Sequence, residues 1–268
     1  MRGRILTISF LFLFSFSLRA QSGLGLLFYD VDRLYDTVPA LFYDDTEFTP
    51  NGKMHWTTER YQRKVAAIAQ VLDSVKMPLV GLYGVENESV VRDIQAICAE
   101  DYSVVHLTRN SFDGLDFALL YYGDVFYVES QSVWRDMMVV DGDYLGCKLT
   151  IILARDGRDV ASYLEENECG ELIVVAGDVS TREIKSWGFE NLLAEGDTSS
   201  YGNTIGRWGW YFKHRIAVNN RPAKHQSGAY IAPYLLNNDG RSIFSTYRRD
   251  NYIGGYSVFL PIYSYIFY

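Results

Sequence analysis

Basic residues are the first shortage. The 268-residue chain carries 33 acidic side chains against 25 lysines and arginines, a formal charge of −8. Three of those bases, Arg2, Arg4 and Arg19, sit at the N-terminus; without them 22 bases face 33 acids and the charge is −11. So acidic a surface excludes the phosphate neutralisation on which non-specific binding to DNA or RNA depends. Cysteine is short too. Cys98, Cys147 and Cys169 are widely spaced and odd in number, which excludes a disulfide framework or a metal knuckle. One disulfide and three buried thiols both stay open. Long apolar runs are confined to residues 5–18, behind Arg2 and Arg4 and ahead of Arg19-Ala20-Gln21. That run is short for a membrane span and a cleavage-like site follows it, so residues 1–20 are expected to be a signal peptide cut after Ala20. No cysteine beside Ala20 offers a lipid anchor. The expectation is an exported protein, periplasmic or extracellular, with no transmembrane segment after cleavage. Internal repeats and low-complexity linkers are also missing. Residues 21–268 are expected to form a single domain, long enough for a substantial core.

What is present alternates between two periods. Residues 24–31 form an apolar run, a first core strand, with Asp30, Asp32 and Asp36 at its end. Thr57 or Thr58 caps a helix in which Tyr61, Val65, Ile68, Leu72 and Val75 recur at helical spacing; Arg60, Arg63 and Lys64 lie off that stripe, and Pro78 ends it. Residues 79–85 read as a buried strand, and Ser89 opens a second helix through Val91, Ile94 and Cys98. Strands are expected at 102–106, 117–122, 125–130, 137–140, 145–153, 172–176, 208–218 and 256–265, with a short helix at 160–166 and a loop-rich interval at 221–250. Mixed elements in this order suit two sheets packed face to face with helices outside.

Several stretches, taken together, resemble the secreted Bacteroidetes-type branch of the endonuclease/exonuclease/phosphatase superfamily. They are Phe28-Tyr29-Asp30-Val31-Asp32-Arg33-Leu34-Tyr35-Asp36-Thr37, then His55-Trp56-Thr57 with Arg60-Tyr61, Gly81-Leu82-Tyr83-Gly84-Val85-Glu86-Asn87, Asp116-Phe117-Ala118-Leu119-Leu120-Tyr121, Gly177-Asp178, and the closing Gly254-Gly255-Tyr256-Ser257-Val258-Phe259-Leu260-Pro261. The resemblance implies a four-layer α/β sandwich, DNase I-like, with two mixed sheets face to face and helices outside. It also implies a phosphoester hydrolase that uses one or two divalent metals. Its motifs arrive altered here. Asp30 stands for the opening asparagine, Gly84 for the metal-binding glutamate, and Asp178 with Ser180 for an Asp-x-Asn motif. His214 or Lys213 stands where a late carboxylate belongs, and Val258 and Phe259 replace the final Asp-His pair. The mid-chain His-x-Pro-Ser segment is missing, since no histidine lies between His106 and His214.

Every proton-transfer group of the pattern is thus lost, and the apparent active site is degenerate. The first reading is a catalytically inactive binding or accessory protein, its ligand or protein partner unidentified and no cofactor required. Asp30, Glu86 and Asp178 would then hold metal weakly or not at all. The alternative is a divergent metal-dependent phosphodiesterase, phosphomonoesterase or nuclease with a rebuilt site on Asp30, Glu86, Asp178 and His214, using Mg2+ or Mn2+. Asp30, Asp32, Glu86 and Asp178 would either converge as a cation cluster or stay solvated loop acids. The stretch Arg207-Trp208-Gly209-Trp210-Tyr211-Phe212-Lys213-His214-Arg215 would be a stacking platform or an ordinary strand of core aromatics and exposed bases. His55 with Trp56 reads as a packing and capping feature.

Overall fold

A computed structural model describes residues 23–193 and 201–268. The signal-peptide expectation therefore falls outside the described residues. In chain order the first strands are β1 (Leu24–Leu34), β2 (Leu79–Val85), β3 (Tyr102–Leu107), β4 (Asp116–Tyr122), β5 (Phe126–Trp134), β6 (Met137–Tyr144), β7 (Cys147–Ala154) and β8 (Leu172–Gly177). After them come β9 (Glu190–Asn191), β10 (Thr204–Gly206), β11 (Gly209–Tyr211), β12 (Arg215–Val218), β13 (Lys224–Ala229), β14 (Tyr247–Arg248), β15 (Asn251–Tyr252) and β16 (Ile262–Phe267). The helices are α1 (Thr58–Val75), α2 (Glu88–Ile97), α3 (Val160–Glu166) and α4 (Thr181–Ser186).

Two six-stranded mixed sheets result, ordered β13-β16-β1-β2-β4-β3 and β5-β6-β7-β8-β12-β9. Alternation along each strand sorts the side chains into three apolar layers. Leu26, Phe28 and Leu119 of the first sheet meet Ile151, Leu153, Val174 and Ile216 of the second. The opposite face of the first sheet, with Leu27, Tyr29 and Leu82, packs under α1 and α2 through Val65, Ile68, Leu72 and Ile94. The outer face of the second, with Val139, Ile152 and Val175, packs under α3 and α4 through Val160, Tyr163 and Ile184. This is the four-layer sandwich expected, with helices outside. No helix among the described residues is long and apolar enough to cross a membrane. All three cysteines are free.

Helix α1 has the expected bounds, and Thr57 caps it by accepting from the Arg60 N–H. Other expectations need correction. The second helix is capped by Asn87, not started by Ser89. Lys64 is 1% exposed, not on the solvent face. Its ammonium donates to the Asp32 carbonyl at 3.3 Å and to Thr246 Oγ1 at 2.5 Å, and burial pulls its pKa down to about 8. The run 208–218 is not one strand. A β10–β11 ribbon is followed by a break at 212–214 before β12, because the N–H groups of Lys213 and His214 turn to the Asn203 side chain instead of a ladder. The interval 221–250 is loop-rich as expected, with β13 inside it forming the edge of the first sheet against β16. Finally, residues 254–261 are irregular and the terminal strand begins only at Ile262, so Leu260 is core but not strand. There the chain bonds instead to the loop at 244–246, and a Cβ on Gly255 would lie 2.1 Å from the Phe244 carbonyl oxygen.

Candidate functional site

The inter-sheet face continues past the core into a mouth at one end of the sandwich. Asp30 follows Phe28 on β1, Tyr83 follows Gly81 on β2, and Asp178 follows Ala176 beyond β8, each two residues on and so on the same face. Arg155 follows Leu153 in the same way, and His214 precedes Ile216. The strand pairing sets these ends side by side, with Ala154 opposite Gly177 and Gly177 opposite Arg215.

The centre of the mouth is a buried polar chain, Asn203–His214–Asp30. Asn203 Oδ1 accepts from the backbone N–H of Lys213 at 2.8 Å and of His214 at 3.3 Å. That turns the Asn203 amide nitrogen to His214 Nδ1 at 2.8 Å, so Nδ1 accepts and Nε2 carries the proton. Nε2 faces Asp30 Oδ2 at 3.3 Å. The other Asp30 oxygen accepts from the Asp32 N–H at 2.9 Å. His214 is clasped between aromatic rings, Phe28 at 5.4 Å and Phe259 edge-on at 4.7 Å. Phe259 therefore brings apolar volume to the mouth, as its residue type suggested. Val258 turns outward, 36% exposed, with its carbonyl accepting from Thr204 Oγ1 at 3.1 Å. Ser257 anchors the segment to β1, donating to the Asp30 carbonyl at 2.7 Å and accepting from the Phe259 N–H at 3.1 Å.

The remaining expected ligands are spoken for. Asp178 Oδ2 is 2.5 Å from the Lys213 ammonium, both half-exposed at the rim. Ser180 caps α4: its hydroxyl accepts from the Glu183 N–H, and Glu183 accepts from the Ser180 N–H in return. Glu86 is 4% exposed and turns to the loop after β1, where it accepts from the Asp36 N–H at 2.5 Å and the Tyr43 hydroxyl at 2.8 Å. Burial pushes its carboxyl up to about 7, against the two hydrogen bonds. Of the two alternatives for Asp30, Asp32, Glu86 and Asp178, the cation cluster does not form, and Asp30 and Glu86 are buried rather than solvated. Among the described residues no three His, Cys, Asp or Glu side chains are placed to share an ion.

Gly84 does lie beside Asp30. Strands β1 and β2 keep register to Asp30 opposite Tyr83, then slip before Leu34 opposite Val85. Asp32 and Arg33 take φ of 53° and 55° across the slip, and Gly84 takes 88°. A Cβ at Gly84 would meet the Arg33 nitrogen at 3.3 Å and Asp30 Oδ1 at 3.4 Å. Any side chain there, the family's glutamate included, meets a left-handed backbone. Gly84→Ala is expected to lose about 1–2 kcal/mol for that reason. Urea midpoints of both proteins measure it, and an unchanged midpoint would mean the bulge relaxes freely.

Three mouth residues escaped sequence reasoning. Tyr83 is half-buried and stacks on Phe117 at 4.8 Å; burial holds its phenol up at about 12, with Arg155 pulling the other way. Arg155 pairs with Asp113 at 3.1 Å. The continued two-residue alternation would have found both. Asn203, in a loop, carried no local signal. The aromatic stretch divides as well: Trp208, at the ribbon tip, is 91% exposed, whereas Trp210 packs against Tyr201 at 4.8 Å.

Magnesium takes hard oxygen ligands in a near-octahedral shell. These residues do not fit it. The Lys213 ammonium occupies Asp178, an imidazole N–H faces Asp30, Glu86 points elsewhere, and Gly84 has no side-chain oxygen to offer.

Two face-to-face mixed sheets with a polar mouth at the strand ends define the DNase I-like class of fold. The family model described as Endonuclease/Exonuclease/phosphatase family matches residues 25–180, and the chain belongs to that family. Among solved structures, an endonuclease/exonuclease/phosphatase family protein from Bacteroides thetaiotaomicron aligns with TM-score 0.57 and 11% identity over 92% of this chain and 96% of that one. Truncated Caenorhabditis elegans TDP2 aligns with TM-score 0.59 and 12% identity, covering 92% and 98%. D. rerio TDP2 complexed with single strand DNA product aligns with TM-score 0.57 and 13% identity, covering 91% and 98%. At these identities the likeness concerns the fold. No curated protein matches the chain.

Proposed function

We propose that this chain is an exported, non-hydrolysing member of the endonuclease/exonuclease/phosphatase family that acts by binding. The observation that carries the reading is the Lys213 ammonium on the Asp178 carboxylate. A metal-dependent site keeps such a carboxylate free for its cation or water; here the Lys213 ammonium takes that place, and the neutral His214 N–H faces Asp30. A protein side chain thus supplies the compensating charge that an ion supplies in a hydrolase. His214 has no route to a reacting group: it is buried, both ring nitrogens are engaged, and Phe259 covers one side. The acidic surface weighs against nucleic acid as the bound species.

Titration calorimetry with Mg2+ and Mn2+, together with cleavage of bis(p-nitrophenyl) phosphate, tests this. The expected result is no saturable metal binding and no metal-dependent turnover. Turnover by the wild type that is abolished in Asp178→Ala would establish the rebuilt hydrolase instead.

A further inference from the structure

Helices α1 and α2 leave between them a groove of about 700 Å³. Tyr61, Val65 and Ala66 of α1 and Ala96 and Ile97 of α2 give it an apolar lining, extended by Val38 on the loop after β1. Ile97 and Val38 are exposed, and the loop runs on to Leu41 and Phe42, which are almost wholly exposed. The groove's open apolar surface is carried by Ala66, Ala96, Ile97 and Val38, over the buried Tyr61 and Val65.

The charge on the groove is one-sided. Asp36 and Asp93 line it. Asp93 accepts from the Tyr61 hydroxyl, and Asp36 from the Val38 N–H and the Asn87 amide, so both are held in place but not neutralised. The nearby arginines are engaged elsewhere, Arg63 with Glu59 and Arg92 with Glu88, each within one helix. We infer that this groove docks a basic amphipathic segment of a partner protein. Its apolar stripe would lie on the Ala66–Ala96–Ile97 surface and its lysines or arginines would face Asp36 and Asp93. A second copy of this acidic chain, or an anionic membrane, would meet like charge there. The inference stands on the groove alone and is independent of what the mouth does.

Fluorescence anisotropy with a labelled synthetic peptide of leucine and lysine at helical spacing tests it, with a leucine–glutamate peptide as control. The lysine peptide is expected to bind and to weaken with salt, and the glutamate peptide not to bind. Asp93→Asn, which keeps a partner for Tyr61, should weaken binding several-fold. Ala66→Arg combined with Ala96→Arg should weaken it about tenfold or more; both alanines are exposed, so arginine does not disturb the packing. Failure of the lysine peptide to bind, or equal binding by the glutamate peptide, overturns the inference. Unchanged affinity of the double arginine variant also overturns it, by placing the peptide elsewhere on the acidic surface.

Discussion

Replacing Arg109 by methionine is expected to cost about 3–5 kcal/mol of folding stability, the range seen when one partner of a buried ion pair is removed. The guanidinium is 1% exposed and lies 3.8 Å from Asp116 Oδ1, itself 1% exposed. It also donates to the Asp136 carboxylate and to the Leu115 carbonyl, and it stacks over Phe117 at 4.9 Å. Asp136 sits in the turn between β5 and β6, so one side chain ties the loop before β4 in the first sheet to a hairpin of the second. Without it, Asp116 keeps the backbone N–H of position 109 at 2.9 Å and His106 Nε2 at 3.3 Å but loses the guanidinium's positive charge beside it. The loss is a large share of the ~5–15 kcal/mol that holds a typical domain together. Urea denaturation measures it. Arg109→Met with Asp116→Leu should recover part of the loss, because the stranded carboxylate is gone. A single variant within ~1 kcal/mol of wild type would show that Asp136 and Asp116 find other partners.

The second large effect is a pH dependence carried by Glu86. Its carboxyl is lifted from 4.5 to about 7, chiefly by burial. The folded protein therefore keeps a proton that the unfolded chain releases. The stability linked to that proton is fully present below pH 4.5 and is lost as pH rises through 7. At ~1.4 kcal/mol per pH unit the loss is on the order of 3 kcal/mol. Glu86→Gln removes the titration and retains the geometry, since the amide oxygen accepts from the Asp36 N–H and the Tyr43 hydroxyl can accept from the amide nitrogen. The variant should be more stable than wild type at pH 8 and differ little from it at pH 4.5. Parallel stability curves for the two proteins between those values would exclude the assignment.

Much of the fold was legible because its signals are local. The Thr57 cap, the stripe from Tyr61 to Val75 and the Pro78 stop belong to one stretch of chain, and α1 has those bounds. Strand alternation likewise marked which faces are apolar, while the stacking of two sheets between helices was implied by the family resemblance. Legibility failed where a distant group decides. Lys64 is off the apolar stripe by helical count, yet it is buried because Asp32 and Thr246 are brought to its ammonium. The break at Lys213 and His214 is invisible in an aromatic run, because the Asn203 side chain causes it. The Gly254-to-Pro261 segment looks like a strand, but its backbone bonds to the loop at 244–246 and is anchored by Ser257.

The candidate site divides along the same line. Residue types alone determined that the side chains of Gly84, Val258 and Phe259 carry no metal ligand and no transferable proton. Which charges neutralise one another was decided by the packing of two sheets. That packing sets Lys213 against Asp178, turns His214 onto Asp30, and points Glu86 away toward Tyr43. Side-chain identity is carried by each residue separately and survives in the bare sequence. A salt bridge or a pKa shift is a property of distance and burial, and neither exists until strands far apart in the chain lie side by side.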